Sequence, residues 1–177
     1  MDEHDLGVAV GEVVFAPADE RHEGRAERHT GGGEAVLVAR RMILVEVLGH
    51  HAAVDDAGLA VNPMIIHGQT HGGIAQGVGQ ALWEHVVYDR ASGQMLSASF
   101  MDYAMPRASL LPSYTAEFIE IPTPSHPLGI RPAGEGGTTG ALAAVANAVL
   151  DALSDYDVDR IDMPLTSEKV WRAINGR

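Results

Sequence analysis

The sequence predicts an α+β fold, a lobe of mixed strands with two main helices. The first helix is predicted at residues 68–82, where Ile74, Val78 and Leu82 recur every four residues and share one helical face. The second helix is predicted from a nearly all-apolar stretch after residues 134–137, which is typical of a buried helix. Short β-prone runs between turn residues predict the strands.

Composition limits the classes of function. The chain has 177 residues, 46% of them apolar, which is enough for one globular domain or two small lobes. Its formal net charge of −12 and the lack of any basic run argue against nucleic acid or an anionic membrane as a partner. Without cysteine, these residues form no disulfide, Fe–S cluster or thiolate nucleophile. We found neither a signal peptide nor a long apolar span, so we expect a cytoplasmic protein.

The N-terminal part divides in composition near residue 34. Residues 19–29 are rich in charge without apolar periodicity, and a run of three glycines follows, so we expect residues 1–34 to be a poorly structured leader. A short strand at 8–15 is the exception. Residues 36–48 are almost continuously apolar and predict one or two buried strands. Turns are predicted at 55–58 and at Asn62-Pro63.

The C-terminal part contains further strands and one short helix. A β-hairpin is predicted around the polar loop at 89–94, which contains Gly93. An irregular aromatic segment follows at 100–106, and a strand at 114–119 leads into a proline-rich loop. Thr166 is predicted to cap a last short helix that has Glu168 in its first turn.

The glycines of residues 68–82 need an explanation, because each glycine inside a helix costs roughly 1 kcal/mol relative to alanine. One explanation is close packing of another helix at a Gly73-x-x-x-Gly77 notch. The other is a ligand lying against bare main-chain N–H groups at a helix N-terminus, where the dipole favours an anion. From the spacing alone, the packing explanation and the ligand explanation are equally supported. The amides Gln69, Gln76 and Gln80 add donors and acceptors that suit a polar ligand.

Glu135 is the most informative single carboxylate. It lies between glycines, after a proline-stiffened loop and directly before the second predicted helix. It suits a general base whose neighbours leave it open to a substrate. The alternative is an acid that satisfies the N–H groups of the helix, which is the more common role of an isolated glutamate at such a position.

Two closely spaced histidines are candidate metal ligands. His67 and His71 are four residues apart, but no glutamate follows His67 as in H-E-x-x-H, and His67 precedes the predicted start of the helix. We therefore predict no side-chain metal site. His50 and His51 are predicted to be solvated surface residues.

Several motifs follow one another in the order and spacing of one known family. They are Val54-Asp55-Asp56-Ala57-Gly58, Asn62-Pro63-Met64-Ile65-Ile66-His67-Gly68-Gln69, residues 72–82, Phe100-Met101-Asp102-Tyr103-Ala104-Met105-Pro106-Arg107, Pro127-Leu128-Gly129 and Gly134-Glu135-Gly136-Gly137. In these motifs the chain resembles the C-terminal part of the large, molybdopterin-binding subunit of molybdenum hydroxylases, of the carbon monoxide dehydrogenase, aldehyde oxidase and xanthine dehydrogenase type. The resemblance covers residues 35–177, the predicted molybdopterin-binding domain, and excludes residues 1–34.

The resemblance implies a cofactor, a base and partners. The cofactor would be molybdopterin cytosine dinucleotide, and Glu135 would be the catalytic base beside the molybdenum. The implied cofactor-binding residues are Gln69, Gly72, Gly73, Gln76, Gly77 and Gly134. The implied partners are the remainder of the large subunit, Fe–S and flavin subunits that take the electrons, and a small-molecule substrate.

The substrate stays open at this point. It could be carbon monoxide, an aldehyde or a heterocycle, because the other half of the cofactor site would lie upstream of this segment. The isolated chain is expected to be inactive. An alternative is a non-catalytic fragment, or a subunit-interaction module, that retains the fold without the activity.

Overall fold

The computed structural model describes residues 51–176. Its elements in chain order are strand β1 (Ala52–Asp56), helix α1 (Pro63–Leu82), strand β2 (Thr115–Ile119), helix α2 (Gly136–Ala152) and helix α3 (Ser167–Ile174). Short 3-10 turns lie at Ala108–Leu110 and Ser154–Tyr156. The predicted α+β class with two main helices is confirmed. The predicted leader and the predicted strands at 8–15 and 36–48 lie outside the described residues.

The two strands form a parallel pair in which Ala52 lies opposite Thr115 and Asp56 lies opposite Ile119. The strand predicted at 114–119 is thereby confirmed. The turn predicted at 55–58 was placed too early, because Asp55 and Asp56 are still in β1. Both aspartates are accommodated in a strand because their carboxylates have hydrogen-bonding partners on neighbouring segments.

Helix α1 begins at Pro63, earlier than predicted. The side chain of Asn62 accepts a hydrogen bond from the backbone N–H of Ile65 at 3.3 Å, and Pro63 occupies the first turn, where its missing N–H costs nothing. Asn62-Pro63 is therefore a helix start rather than a turn. His67, predicted to precede the helix, lies within it.

The core lies where α1 packs against α2. Ile74, Val78 and Leu82 are fully buried, which confirms the predicted apolar face. From α2, Val145 and Val149 pack against them. Burying a side chain of this size stabilises the fold by about 1.5 to 3 kcal/mol. The remaining large buried side chains of this cluster come from the C-terminal part of the chain: Leu153, Leu165 and Val170.

The smaller predicted features are also present. The hydroxyl of Thr166 accepts a hydrogen bond from the backbone N–H of Lys169 at 3.3 Å, so the predicted cap of α3 is confirmed. The predicted hairpin is reduced to an isolated antiparallel bridge between Tyr88 and Met95, closed by a turn with Gly93 at φ +71°. Within residues 51–176, no helix is both long and apolar enough to cross a lipid bilayer.

Candidate functional site

Three glycines allow the backbones of α1 and α2 to touch. A Cβ added to Gly73 would lie 2.9 Å from the backbone nitrogen of Thr138. A Cβ on Gly77 would lie 2.9 Å from the Cβ of Ala141, and one on Gly137 would lie 2.5 Å from the backbone oxygen of Thr70. No side chain fits in these spaces, so the close-packing explanation holds for Gly73 and Gly77. We call these contacts the helix crossing.

The ligand explanation needs a correction to its geometry. Because α1 begins at Pro63, the N–H groups of residues 72–79 lie inside the helix, where they bond to carbonyls four residues earlier. They are not bare N–H groups of a helix terminus, as the prediction required. The start of α2 does not meet the N-terminus of α1, since Gly137 contacts Thr70 and Ile74 in the middle of α1.

A second set of α1 residues remains open. A Cβ added to Gly68 or Gly72 would meet nothing within 4 Å, and both glycines are exposed. Gln69 and Gln76 are exposed beside them, and residues 68, 69, 72 and 76 share one side of the helix. We call these four residues the open face of α1. It carries no formal charge, and it offers amide donors and acceptors around two positions that lack side chains.

Two hydrogen bonds join the open face to the start of α2. The side-chain amide of Gln69 donates to the backbone oxygen of Gly134 at 3.2 Å. The hydroxyl of Thr138 donates to the side-chain oxygen of Gln76 at 3.4 Å. The structure therefore brings the predicted residues Gln69, Gln76 and Gly134 together, although they are widely separated in sequence. Gly73 and Gly77 pack at the helix crossing beneath them, and their contact with a cofactor stays a prediction.

Glu135 occupies the position before the first residue of α2. Its side chain makes no capping hydrogen bond, and the residue is exposed. Its backbone oxygen accepts hydrogen bonds from the N–H and the hydroxyl of Thr139, each at 3.2 Å. Within the described residues, the main chain of Glu135 thus begins the helix while its carboxylate points to no helix N–H group. The side-chain hydrogen bond that capping of the helix would require is absent, and the catalytic role of Glu135 stays a prediction.

Asp55 is a second carboxylate near the same helix start, and the sequence analysis did not assign it to the site. One of its oxygens accepts a hydrogen bond from the hydroxyl of Thr70 at 3.4 Å. A Cβ added to Gly136 would lie 3.2 Å from its other oxygen. A negative group thus lies beside the first turn of α2, which makes the adjoining N–H groups less attractive to an anion. The motif that contains Asp55 was recognisable in the sequence, but its contact with Gly136 depends on the fold.

Arg131 fixes the loop that leads to Glu135. Its Nε lies 2.8 Å from the carboxylate of Asp56, whose side chain is only 5% exposed, and it also donates to the backbone oxygen of Ile121 at 3.0 Å. The same carboxylate accepts hydrogen bonds from the N–H groups of Gly58 and Ile121. Gly58 has φ +61°, and a Cβ there would lie 2.4 Å from the backbone oxygen of Gly129. The cation at position 131 is therefore engaged in holding the loop.

The histidines contact aromatic rings and the main chain. The ring of His67 lies 5.1 Å from that of Phe118, and Nδ1 of His71 is 2.8 Å from the backbone oxygen of His67. In residues 51–176, no group of three or more His, Cys, Asp or Glu side chains could hold a metal ion. The described histidines therefore offer no alternative metal centre.

His51 corrects a prediction, because it is buried rather than solvated. Only 2% of the residue is exposed, and its ring packs edge-on against Tyr114 with centroids 5.6 Å apart. Burial lowers the pKa of His51 and raises the pKa of Tyr114 to about 12. Both rings are therefore neutral at physiological pH and serve as packing groups at the start of the sheet.

Comparison with known proteins identifies a matching family and relatives of this chain. Residues 34–112 match the family model of a molybdopterin cofactor-binding domain. The chain is 41% identical over 124 residues to the nicotine 6-hydroxylase large subunit of Paenarthrobacter nicotinovorans, covering 70% of this chain and 15% of that protein. It is 37% identical over 122 residues to the carbon monoxide dehydrogenase large chain of Hydrogenophaga pseudoflava, covering 69% and 15%.

The fold is shared as well. Quinoline 2-oxidoreductase from Pseudomonas putida 86 matches with a TM-score of 0.68 at 41% identity, over 72% of this chain and 16% of that one. The chain thus spans about 15% of the length of the curated relatives that it matches. The open face lies within the residues matched by the family model, whereas Gly134 and Glu135 lie beyond them.

Proposed function

This chain belongs to the molybdenum hydroxylase family as a fragment of its large, molybdopterin-binding subunit, and we propose that it holds one side of a molybdopterin cytosine dinucleotide and supplies the catalytic base beside it. Residues 35–177 form the cofactor-binding domain in this proposal. The single observation that carries the proposal is the open face of α1, hydrogen-bonded to Gly134 in the loop before Glu135 and to Thr138 in the first turn of α2.

The residues present fit such a cofactor. Gly68 and Gly72 leave uncovered backbone on an exposed helix side, where a flat ring system can approach closely. The side chains of Gln69 and Gln76 can exchange hydrogen bonds with the amide-like groups of a pterin or a cytosine. The open face has no cation, so direct contacts of its side chains with the cofactor would be made by neutral groups. The phosphates would have to be bound away from Asp55.

Glu135 is suited to hold and release a proton. Its carboxylate is exposed and not used in capping, and its backbone is fixed by the bonds of Thr139 to its carbonyl. When bound, the molybdenum centre would supply the two-electron oxidation of a small substrate. Glu135 would accept the proton that the reaction releases, and general bases of this kind contribute about 10² to 10⁴ in rate. Fe–S and flavin subunits would receive the electrons.

The test uses this chain assembled with the remainder of a large subunit and its partner subunits. Glu135→Gln keeps the size and polarity of the side chain but removes the base, so kcat per bound molybdenum should fall by about 10² or more. Glu168→Gln is the matched control, because it removes an exposed carboxylate from the first turn of α3. Equal kcat per molybdenum in Glu135→Gln and the parent would contradict the catalytic role.

The alternative is a non-catalytic module that keeps the fold. This chain spans about 15% of the length of its relatives, which favours the non-catalytic module for the isolated chain. The same experiment separates the two. If the chain is a non-catalytic module, Glu135→Gln and Glu168→Gln change neither turnover nor molybdenum content. If the chain supplies the catalytic base, Glu135→Gln alone lowers turnover, and molybdenum content is kept.

A further inference from the structure

The most exposed large apolar side chains of the described residues lie at the tip of one turn. Phe100 is 82% exposed and Met101 is 92% exposed. We call residues 99–103 the apolar turn. Exposed phenylalanine and methionine are unfavourable in water and are enriched in the buried centres of protein interfaces. Their position therefore suggests a surface that another polypeptide covers.

The turn is held in shape from within. The hydroxyl of Ser99 donates to the carboxylate of Asp102 at 2.7 Å, and the backbone oxygen of Ser99 accepts from the N–H groups of Asp102 and Tyr103. The N–H of Met101 donates to the same hydroxyl at 3.3 Å. These bonds hold the backbone of the turn in one conformation, so that little backbone entropy is lost when a partner binds.

The turn is also anchored to the end of α1. The hydroxyl of Tyr103 donates to the carboxylate of Glu84 at 3.0 Å. Pro106 packs closely against Gly79 of α1, because a Cβ added to Gly79 would lie 2.7 Å from the Cγ of Pro106. Since α1 also carries the open face, a partner that grips the apolar turn would be fixed relative to the candidate cofactor site.

We propose that the apolar turn is an anchor by which this chain docks onto the remainder of the large subunit. This inference rests on the proposed function for the identity of the partner. The chain accounts for about 15% of the relatives' length, so most of such a subunit is available as the occupant. A second copy is disfavoured because each chain carries a net charge of −12, which repels a like copy.

The test measures association without any cofactor. The probe is the nicotine 6-hydroxylase large subunit of Paenarthrobacter nicotinovorans from which the segment matching this chain has been deleted. The double variant Phe100→Ser/Met101→Ser should raise the Kd for this probe by about tenfold or more. Tyr103→Phe loosens the turn but keeps its tip, and should raise the Kd by a smaller factor.

The control is an equally exposed apolar pair at the opposite end of α1. Val61 is 74% exposed and Met64 is 77% exposed. The helix between the two ends is about 30 Å long. Val61→Ser/Met64→Ser should change the Kd by less than about twofold, because the anchor is local.

Several results would overturn the docking proposal. They are failure of the parent chain to bind the probe, an unchanged Kd in the turn variant, and equal weakening by the control pair. Self-association of the chain that only the turn variant abolishes would identify a second copy as the occupant. If association depends on the turn but the complex retains no cofactor when the cofactor is then supplied, the docking proposal stands and the proposed function is contradicted instead.

Discussion

Gly72 and Gly73 are neighbours in the sequence and differ completely in their surroundings. A Cβ on Gly73 would strike the backbone of Thr138, whereas a Cβ on Gly72 would meet nothing within 4 Å. At the helix crossing, the cost of glycine is offset by close contact of two backbones. On the open face nothing within the described fold offsets it. We propose that the open glycines are explained by something that binds there, and the following predictions test that difference.

The largest expected effect is at the helix crossing. Gly77→Val places a branched side chain 2.9 Å from the Cβ of Ala141 and from the backbone oxygen of Thr138, so the free energy of unfolding should fall by about 3 kcal/mol. The control is Gly68→Val on the open side of the same helix. This variant should change the free energy of unfolding by about 0.5 kcal/mol or less. Denaturant unfolding of both variants measures the difference. Similar losses would mean that the two sets of glycines are not distinct.

A smaller effect is expected at the loop that carries Glu135. Arg131→Met leaves the nearly buried carboxylate of Asp56 with two backbone donors but no cation, and should lower the free energy of unfolding by about 1 to 3 kcal/mol. Arg172→Met breaks an exposed ion pair with Glu168 and should cost about 0.5 kcal/mol or less. If both variants lose the same amount, the Asp56 pair does not fix the loop.

The burial of His51 should make the stability of the fold depend on pH. Its folded pKa is lowered by burial, so below pH 6.5 the unfolded chain takes up a proton that the folded chain does not. Stability should therefore fall as pH drops below 6.5, by at most about 1.4 kcal/mol per pH unit from this one group. His51→Gln should flatten the curve between pH 7 and pH 5. Parallel curves for parent and variant would remove His51 as the cause.

Local signals were sufficient for some elements of the fold. The apolar spacing of Ile74, Val78 and Leu82 predicted the buried face of α1, and Thr166 predicted the cap of α3. The sequence also contains a local signal for the start of α1, because an asparagine followed by proline is typical of a helix N-terminus. The prediction of a turn at this pair was wrong. Strand β1 was missed because aspartates disfavour strands unless tertiary partners satisfy them, as Thr70 and Arg131 do here.

The candidate site could be predicted only in part. Gln69, Gly72 and Glu135 were identified from motifs, but the sequence could not separate Gly72 from Gly73, since that difference depends on where α2 crosses α1. The contact of Asp55 with Gly136 and the hydrogen bond of Gln69 to Gly134 join residues that are distant in sequence. Spacing within one segment carries no information about either contact.

The smallest expected change in stability belongs to a variant that tests whether the open face holds the cofactor. Gly72→Leu should raise the free energy of unfolding by about 0.5 to 1 kcal/mol, because leucine is a better helix former and its Cβ meets no atom within 4 Å. In the complex with the remainder of the large subunit, the same variant should lose molybdenum and cytosine nucleotide. A substitution at Gly73 cannot serve here, because it would disturb the helix crossing. We expect a more stable chain with less cofactor, and a stable variant that retains the parent's full molybdenum and nucleotide content would contradict cofactor binding at the open face.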